Sequence, residues 1–321
     1  MKKTLIALAV LAVSGAAFAQ SSVTISGTIN VGVLDTGAAG AQPTVSRLGG
    51  GANAINIVTV EDLGGGLRGG FDSQMRFNSA TGDRASAGTG AALFHGANVY
   101  VGGGFGTVRM GKIIEASNCA YDPWACTGGA GLSAGSTTGG LIAAQTIANA
   151  VSYNTPTIGG FSASYNTSVS ARANERSVLS LNYAAGPLTA QFLQSKGTPN
   201  TAGDVVGGTP AITDAQAKGT SIGASYNFGV ANVSVFNAKT ENAAGATTAD
   251  ITGLGLTVPM GAVTLLAGMT QDKQKASNLD GRTAVGVNYA LSKRTTLGAD
   301  VFKQDQVGGS TGFVVRARHT F

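Results

Sequence analysis

Few side chains in this 321-residue sequence could carry out covalent chemistry. The chain has two histidines, His95 and His319. Nucleophilic catalysis usually needs a histidine beside a serine or a carboxylate. His95 begins a predicted strand and His319 lies on the outward side of another, and neither is next to such a motif. The pattern argues against an enzyme, and it indicates no cofactor.

The two cysteines, Cys119 and Cys126, lie in the longest predicted connection. Asp122-Pro123 between them is a turn-forming pair that could bring the two ends together. In an oxidising compartment a pair at this spacing is expected to form a disulfide, the alternative being two free thiols. Neither histidine is nearby in sequence, so we do not expect a metal site.

The segment Gly106-Thr-Val-Arg-Met-Gly-Lys112 resembles a phosphate-binding loop. Ile113 replaces the hydroxyl residue that would hold magnesium, and the segment lies in a predicted strand rather than before a helix. We therefore interpret it as a strand and not as a nucleotide site.

The first 19 residues have the features of a secretory signal peptide. Lys2 and Lys3 precede an apolar run, and Ala17-Phe18-Ala19 forms a cleavage site of small residues. We expect a mature chain of residues 20–321, in one domain. Without Lys2 and Lys3 it has 19 Lys+Arg against 16 Asp+Glu, a net charge of +3 and no basic run, so nucleic-acid binding is not expected.

Apolar and polar residues alternate along almost the whole mature chain. A period of two places one set on each face of a strand. Sixteen segments show it: 23–34, 53–62, 66–78, 93–102, 106–113, 147–156, 159–172, 175–185, 187–196, 218–228, 230–242, 249–259, 261–274, 280–290, 293–306 and 311–321. Beyond the leader no apolar stretch reaches the about 20 residues of a membrane helix, which excludes a helical membrane protein.

Tight turns alternate with longer connections, and the longest connection spans residues 114–146. An even strand count with short turns on one rim and long loops on the other is typical of an outer-membrane barrel. A β-sandwich would carry Lys and Glu on its polar face, and a β-helix would show a short fixed repeat. The sequence predicts an all-β, 16-stranded antiparallel transmembrane β-barrel around a water-filled lumen, and the long third external loop is the candidate that narrows it.

Outward aromatic residues stand next to the tight turns or at the C-terminus. Such rings favour the membrane–water boundary and predict a girdle at the periplasmic rim. Its expected members are Phe161, Tyr183, Phe228, Tyr289 and Phe321.

Strand parity also assigns charges to the lumen. The inward basic candidates are Arg68, Arg76, Arg109, Arg172, Arg176, Arg282, Arg294, Arg316 and Arg318, against Asp72, Asp272 and Asp300. Each of them could instead be a rim charge that points to solvent, and this alternative is strongest for Arg172, Arg176, Arg282 and Arg294. Arg109 and Arg316 are expected near the narrow middle of the barrel. Lys112 has outward parity, so it can contribute to the lumen only if a β-bulge turns its side chain inward.

The long loop carries Glu115 and Asp122, which we expect to face this basic wall. A basic wall opposite an acidic loop sets up a transverse field that orients polar solutes and rejects apolar ones.

Several segments resemble the Gram-negative general porins of the neisserial and β-proteobacterial type. They are Glu61-Asp-Leu-Gly-Gly-Gly-Leu67 with Phe71, Gly103-Gly-Phe-Gly-Thr-Val-Arg-Met-Gly-Lys112, Asn149-Ala-Val-Ser-Tyr-Asn-Thr-Pro156 followed by Gly160-Phe161, and Val315-Arg-Ala-Arg-His-Thr-Phe321. The resemblance implies homotrimers in the outer membrane, in contact with lipid and lipopolysaccharide. It also implies a third loop that forms the constriction, and Phe321 as part of the signal read by the barrel-assembly machinery.

Three positions depart from that resemblance. The family often has Arg where this chain has Lys112, Ser152 and Ala54 or Asn56. The anion preference of arginine-rich members is therefore not simply inherited. We expect an open pore for ions and small hydrophilic solutes with a weak anion preference. The alternatives are a substrate-specific channel and, from other classes, an outer-membrane enzyme or an adhesin.

Overall fold

The computed structural model describes residues 21–48, 53–83, 93–114, 121–124, 146–169, 176–198, 217–275, 281–304 and 310–321. The expected signal peptide, residues 1–19, lies outside them, as do Glu115, Cys119, Cys126 and Arg172. Within these ranges, no helix is both long enough and apolar enough to cross a membrane.

The described strands form one antiparallel sheet that closes on itself. Its first and last strands pair from Thr28↔Thr320 to Asp35↔Phe313. In chain order the strands are β1 Ser22–Asp35, β2 Thr44–Arg47, β3 Ala54–Gly64, β4 Leu67–Arg76, β5 Phe94–Gly103, β6 Gly106–Ile114, β7 Thr146–Asn154, β8 Phe161–Ser168, β9 Arg176–Ala185, β10 Leu188–Gly197, β11 Lys218–Asn227, β12 Asn232–Glu241, β13 Thr247–Met260, β14 Val263–Asp272, β15 Arg282–Ala290, β16 Thr295–Gln304 and β17 Ser310–Thr320.

Each of the sixteen long strands matches one predicted segment, and the 16-stranded barrel is confirmed. The additional strand β2 is a four-residue element that the sequence pattern did not reveal. It pairs with β1 from Val31↔Arg47 to Leu34↔Thr44, whereas β3 pairs with the other half of β1, from Ser22 to Thr28. A strand of four residues is too short to show a clear period of two.

The two faces of the wall differ as the alternation predicts. On β1, Val23 and Ile25 are 66% and 62% exposed, while Asn30 on the opposite face is fully buried. Exposed apolar side chains cover the outside because lipid rather than water surrounds it. Near the short-turn rim, the rings of Phe161 and Tyr183 lie with centroids 4.6 Å apart.

The C-terminal residue joins the last strand to the first. The Gly27 N–H donates to the Phe321 carbonyl at 2.9 Å, and the Phe321 N–H donates to the Gly27 carbonyl at 3.0 Å. The Phe321 ring lies against Gly27, where a β-carbon would collide with it. Glycine therefore makes room for the terminal ring at the seam of the barrel.

A register shift separates Gly111 from Ile113 in the pairing of β6 with β7. It lies opposite Asn149, which has a φ of 50°. At this shift two residues of β7 lie opposite one residue of β6, which is a β-bulge. The bulge keeps Ile113 and Ile147 both on the inner face, where they pack with Val178 and Leu193. Part of the inner wall is therefore apolar, which the alternation pattern did not predict.

Candidate pore constriction

Residues 121–124 of the long connection lie inside the barrel. The Tyr121 ring covers Gly223, which leaves no room there for a β-carbon, and Pro123 lies against Gly255 in the same way. The Ser234 hydroxyl donates to the Tyr121 carbonyl at 2.8 Å. Small inward residues on β11, β12 and β13 thus form the surface on which this segment rests. Burial raises the pKa of Tyr121 to about 12, so its phenol adds no charge to the lumen near neutral pH.

Trp124 is the anchor of this segment and is only 3% exposed. Its indole Nε1 donates to Asp300 Oδ1 at 2.9 Å. Asp122 Oδ1 accepts from the Trp124 backbone N–H at 3.0 Å and fixes the turn that precedes the ring. A buried indole N–H needs an acceptor, and here a carboxylate on β16 supplies it.

An apolar cluster surrounds the Trp124 ring inside the barrel. It contains Leu48, Leu266, Ala284, Phe302 and Val314. Leu48 comes from the first long connection, and two hydrogen bonds with Asn30 hold it. The Leu48 N–H donates to the Asn30 carbonyl at 3.1 Å, and the Asn30 side-chain Nδ2 donates to the Leu48 carbonyl at 3.2 Å. Two external connections therefore meet at one point of the inner wall.

Arg316 forms an ion pair with Asp300, the same carboxylate that accepts from Trp124. Its Nη2 also donates to Asn288 Oδ1 at 2.7 Å. The guanidinium lies over Gly298 and the carboxylate over Gly286, and neither glycine has room for a β-carbon. The side chains of Arg316 and Asp300 are 7% and 0% exposed. The two opposite charges therefore compensate each other in a place that water does not reach. Arg316 is inward, as its parity predicts, but it is covered.

Arg109 belongs to a second polar group, on β4, β5 and β6. Its Nη1 lies 3.3 Å from Asp72 Oδ2 and donates to Asn98 Oδ1 at 3.2 Å. Its guanidinium lies 5.1 Å from the centroid of the Tyr100 ring. The side chains of Arg109 and Asp72 are 26% and 38% exposed, so this pair keeps contact with solvent. Its charge can act on passing ions.

Polar side chains continue this wall toward the long-loop rim. Arg76 Nε donates to Gln74 Oε1 at 2.7 Å, and Gln74 Nε2 donates to Asn56 Oδ1 at 2.8 Å. Arg68 lies beside Gly102 near the short-turn rim. On the far side of the seam, Arg318 pairs with Asn30 across the ladder and lies close to Arg316. The structure therefore distributes the predicted arginines over two groups rather than one.

Lys112 remains on the outward side of its strand. It pairs with Ala97, which shares a side of β5 with the exposed Val99. Its ammonium donates to the Phe94 carbonyl at 3.4 Å. The register shift between Gly111 and Ile113 does not turn Lys112 toward the group around Arg109.

Asp122 is placed differently from the expected acidic loop face. It is 3% exposed, caps the Trp124 backbone, and lies close enough to Arg282 to interact with its charge. Arg282 and Arg176 are 7% and 6% exposed, so the alternative of a rim charge that points to solvent does not apply to them. The Arg282 guanidinium stacks on Phe302, 4.8 Å from the ring centroid. Glu115, the other expected acidic residue, lies outside the described residues.

Sequence reasoning missed the role of Trp124 and the apolar part of the inner wall. One signal was available, since Trp124 is the only tryptophan of the chain and stands between the two cysteines. Across the described ranges, no group of three potential metal ligands comes together.

Comparison with known proteins agrees with the fold. Residues 4–309 match the family model described as Gram-negative porin. The outer membrane porin protein 32 of Delftia acidovorans is 32% identical over 327 residues, covering 92% of this chain and 88% of that protein.

Two solved structures superpose on most of this chain. The anion-selective porin from Comamonas acidovorans has a TM-score of 0.70 at 26% identity, covering 94% of this chain and 100% of that one. The trimer form of OmpT from Vibrio cholerae has a TM-score of 0.67 at 14% identity, covering 94% and 99%. Fold and family point to a channel rather than an enzyme. The chain belongs to the Gram-negative porin family and is an outer-membrane β-barrel channel for passive diffusion.

Proposed function

We propose that the pore prefers anions weakly and that Arg109 is the main source of this preference. This proposal rests on the observation that Arg109 is part-exposed on the inner wall, whereas Arg316 is covered and paired with Asp300. A fixed positive charge beside the path raises the local concentration of anions. Asp72 at 3.3 Å offsets part of that charge, which keeps the preference weak.

A second contribution comes from the group around Asp300. Here two guanidinium groups, Arg316 and Arg318, lie close together, and Arg316 takes the carboxylate of Asp300. Arg318 is inward and half-buried. The uncompensated charge of this group supports the same preference. The similar porin from Comamonas acidovorans is described as anion-selective, which agrees with this direction.

Planar-bilayer recording tests the proposal. In a salt gradient the reversal potential should indicate a small excess of anion over cation permeability. The excess should fade in about 1 M salt, where the screening length falls to about 3 Å. Conductance should rise with salt without saturation, as expected for a pore without a dedicated binding site. Saturation at micromolar levels of one solute would favour a substrate-specific channel instead.

The assembly and the partners are part of the proposal. The trimer form of OmpT supports a homotrimer, embedded in outer-membrane lipid and lipopolysaccharide. Phe321, which lies at the barrel seam, forms part of the signal read by the barrel-assembly machinery in this proposal. Chemical cross-linking of the purified protein should give a trimer band. Deletion of Phe321 should lower the amount of folded protein in the outer membrane.

A further inference from the structure

We propose that Asn53 is a positioning residue of the pore. Its carboxamide fixes Leu48 against the apolar cluster that contains Trp124, so the connection between β2 and β3 controls the width of the channel together with the long connection. The proposal concerns the size of the solutes that pass rather than their charge. Its tests are therefore independent of the proposed anion preference.

The first strand changes its partner within the barrel wall. Toward the long-loop rim, Val31–Leu34 of β1 pairs with β2, whereas Ser22–Thr28 pairs with β3. Ile29 and Asn30 lie between these two parts, and no described strand pairs with them on this side. Asn30 is fully buried, so its backbone N–H and carbonyl need other hydrogen-bond partners there.

The side chain of Asn53 supplies these partners. The Asn30 N–H donates to Asn53 Oδ1 at 3.0 Å, and Asn53 Nδ2 donates to the Asn30 carbonyl at 3.0 Å. A carboxamide has an acceptor and two donors, so it imitates the peptide group of a neighbouring strand. The backbone of Asn53 is fixed as well, because its carbonyl accepts from the Phe77 N–H at 3.1 Å. Asn53 thus bridges the gap between β1 and the sheet.

The same carboxamide reaches Leu48. Asn53 Nδ2 also donates to the Leu48 carbonyl at 3.3 Å, and that carbonyl accepts a further bond from Asn30 Nδ2 at 3.2 Å. The residues between Leu48 and Asn53 in sequence are three glycines and an alanine, which bring no polar side chain to this point. The bonds end on the backbone of Leu48, so its side chain remains available for packing.

Leu48 completes a cluster whose other contributions to the Trp124 environment come from the wall. Four adjacent strands, β14 to β17, supply Leu266, Ala284, Phe302 and Val314. Leu48 is 2% exposed and comes from a connection instead. In a closely packed cluster, withdrawal of one side chain leaves a cavity into which its neighbours can move. Release of Leu48 would therefore loosen Trp124 and, with it, residues 121–124.

The pairing of neighbouring strands does not require such an interruption. β9 and β10 pair without a shift from Leu188↔Ala185 to Gly197↔Arg176. An interrupted ladder loses backbone hydrogen bonds, and irregularities of this kind are over-represented next to functional sites, where they re-aim a side chain. Here the re-aimed side chain is Leu48, which lies in one cluster with the anchor of the long connection.

Trp124 fluorescence tests the proposal without reference to channel activity, because the chain has one tryptophan. Asn53→Ala removes the carboxamide and keeps the Leu48 side chain. Leu48→Ala removes that side chain and keeps the hydrogen bonds to its backbone. In folded protein, both variants should shift the emission to longer wavelength and raise the acrylamide quenching constant, since water then reaches a ring that is 3% exposed in the wild type.

Matched controls are available on the inner wall away from Trp124. Asn166→Ala on β8 and Leu193→Ala on β10 make the same substitutions at positions that are 3% and 2% exposed. Leu193 belongs to a separate apolar cluster. Both controls should keep the wild-type emission and quenching, even where they lower the free energy of unfolding.

The effect on the pore is measured by single-channel conductance and by liposome swelling with sugars of increasing size. Asn53→Ala and Leu48→Ala should raise the conductance and admit larger sugars than the wild type. In a Trp124→Ala background, Asn53→Ala should change the conductance no further, because both substitutions act through the same ring.

Three results would overturn the proposal. Wild-type emission and quenching in Asn53→Ala would mean that the carboxamide only stabilises the barrel wall. Shifted emission with wild-type conductance would separate Trp124 from the pore width, and additive conductance changes in the double variant would show that Asn53 acts by another route. If Asn53→Ala does not fold, Leu48→Ala decides the question, and equal behaviour of Leu48→Ala and Leu193→Ala would then count against the proposal.

Discussion

The indole of Trp124 donates to the carboxylate of Asp300 across 176 positions of sequence, at 2.9 Å. This bond ties the long connection after β6 to the wall at β16. The same carboxylate neutralises Arg316, so one residue holds the loop and compensates a buried cation. The effective width of the pore therefore depends on a contact between a loop and a strand that are distant in sequence.

Loss of this bond should loosen the loop segment. Trp124→Phe keeps an aromatic ring but removes the donor to a charged acceptor, which is worth about 1.5–3 kcal/mol. We expect a higher single-channel conductance and larger current noise. Tyr289→Phe, which removes a polar group from an outward ring, is the control and should leave both unchanged. Identical traces for Trp124→Phe and wild type would show that the bond does not position the loop.

The Asp300–Arg316 pair should contribute to stability only as a pair. Asp300→Asn leaves a buried guanidinium without its counter-charge, and we expect a loss of about 3 kcal/mol or more in the free energy of unfolding. The double variant Asp300→Asn with Arg316→Met should recover part of this loss. Urea unfolding of the barrel in detergent, followed by tryptophan fluorescence, measures both. Additive losses would mean that the two side chains do not interact.

Selectivity should respond to Arg109 more than to Arg316. Arg109→Gln leaves Asp72 part-exposed, and the anion-to-cation permeability ratio should fall about twofold at low salt. Asp72→Asn should raise it, because the opposing charge is gone. Arg316→Gln should change the ratio less, since that side chain is covered. Reversal potentials in a salt gradient give these ratios. If Arg109→Gln keeps the wild-type potential, Arg109 does not line the narrow section.

The disulfide between Cys119 and Cys126 stays a prediction, because both cysteines lie outside the described residues. An oxidising compartment and the Asp122-Pro123 turn favour the bond. Denatured, unreduced protein should show no reaction with a thiol reagent, and two thiols per chain after reduction. Two reactive thiols before reduction would rule out the bond.

The sequence by itself determined the strands and their faces. A side chain's face depends only on strand parity, which is a local property. That is why the sixteen segments, the outward rings such as Phe161, and the inward placement of Arg109 and Arg316 could be predicted from the order of residues.

Only the tertiary structure decided which inward residues meet. Parity does not give the relative height of two strands, which is set by the stagger between neighbours around the closed barrel. Arg316 was therefore predicted to be inward, but its burial with Asp300 was not. The position of Trp124 was also unpredictable, because a loop has no period. Its contacts are with Leu48, Phe302 and Asp300, which come from parts of the chain that only barrel closure brings together.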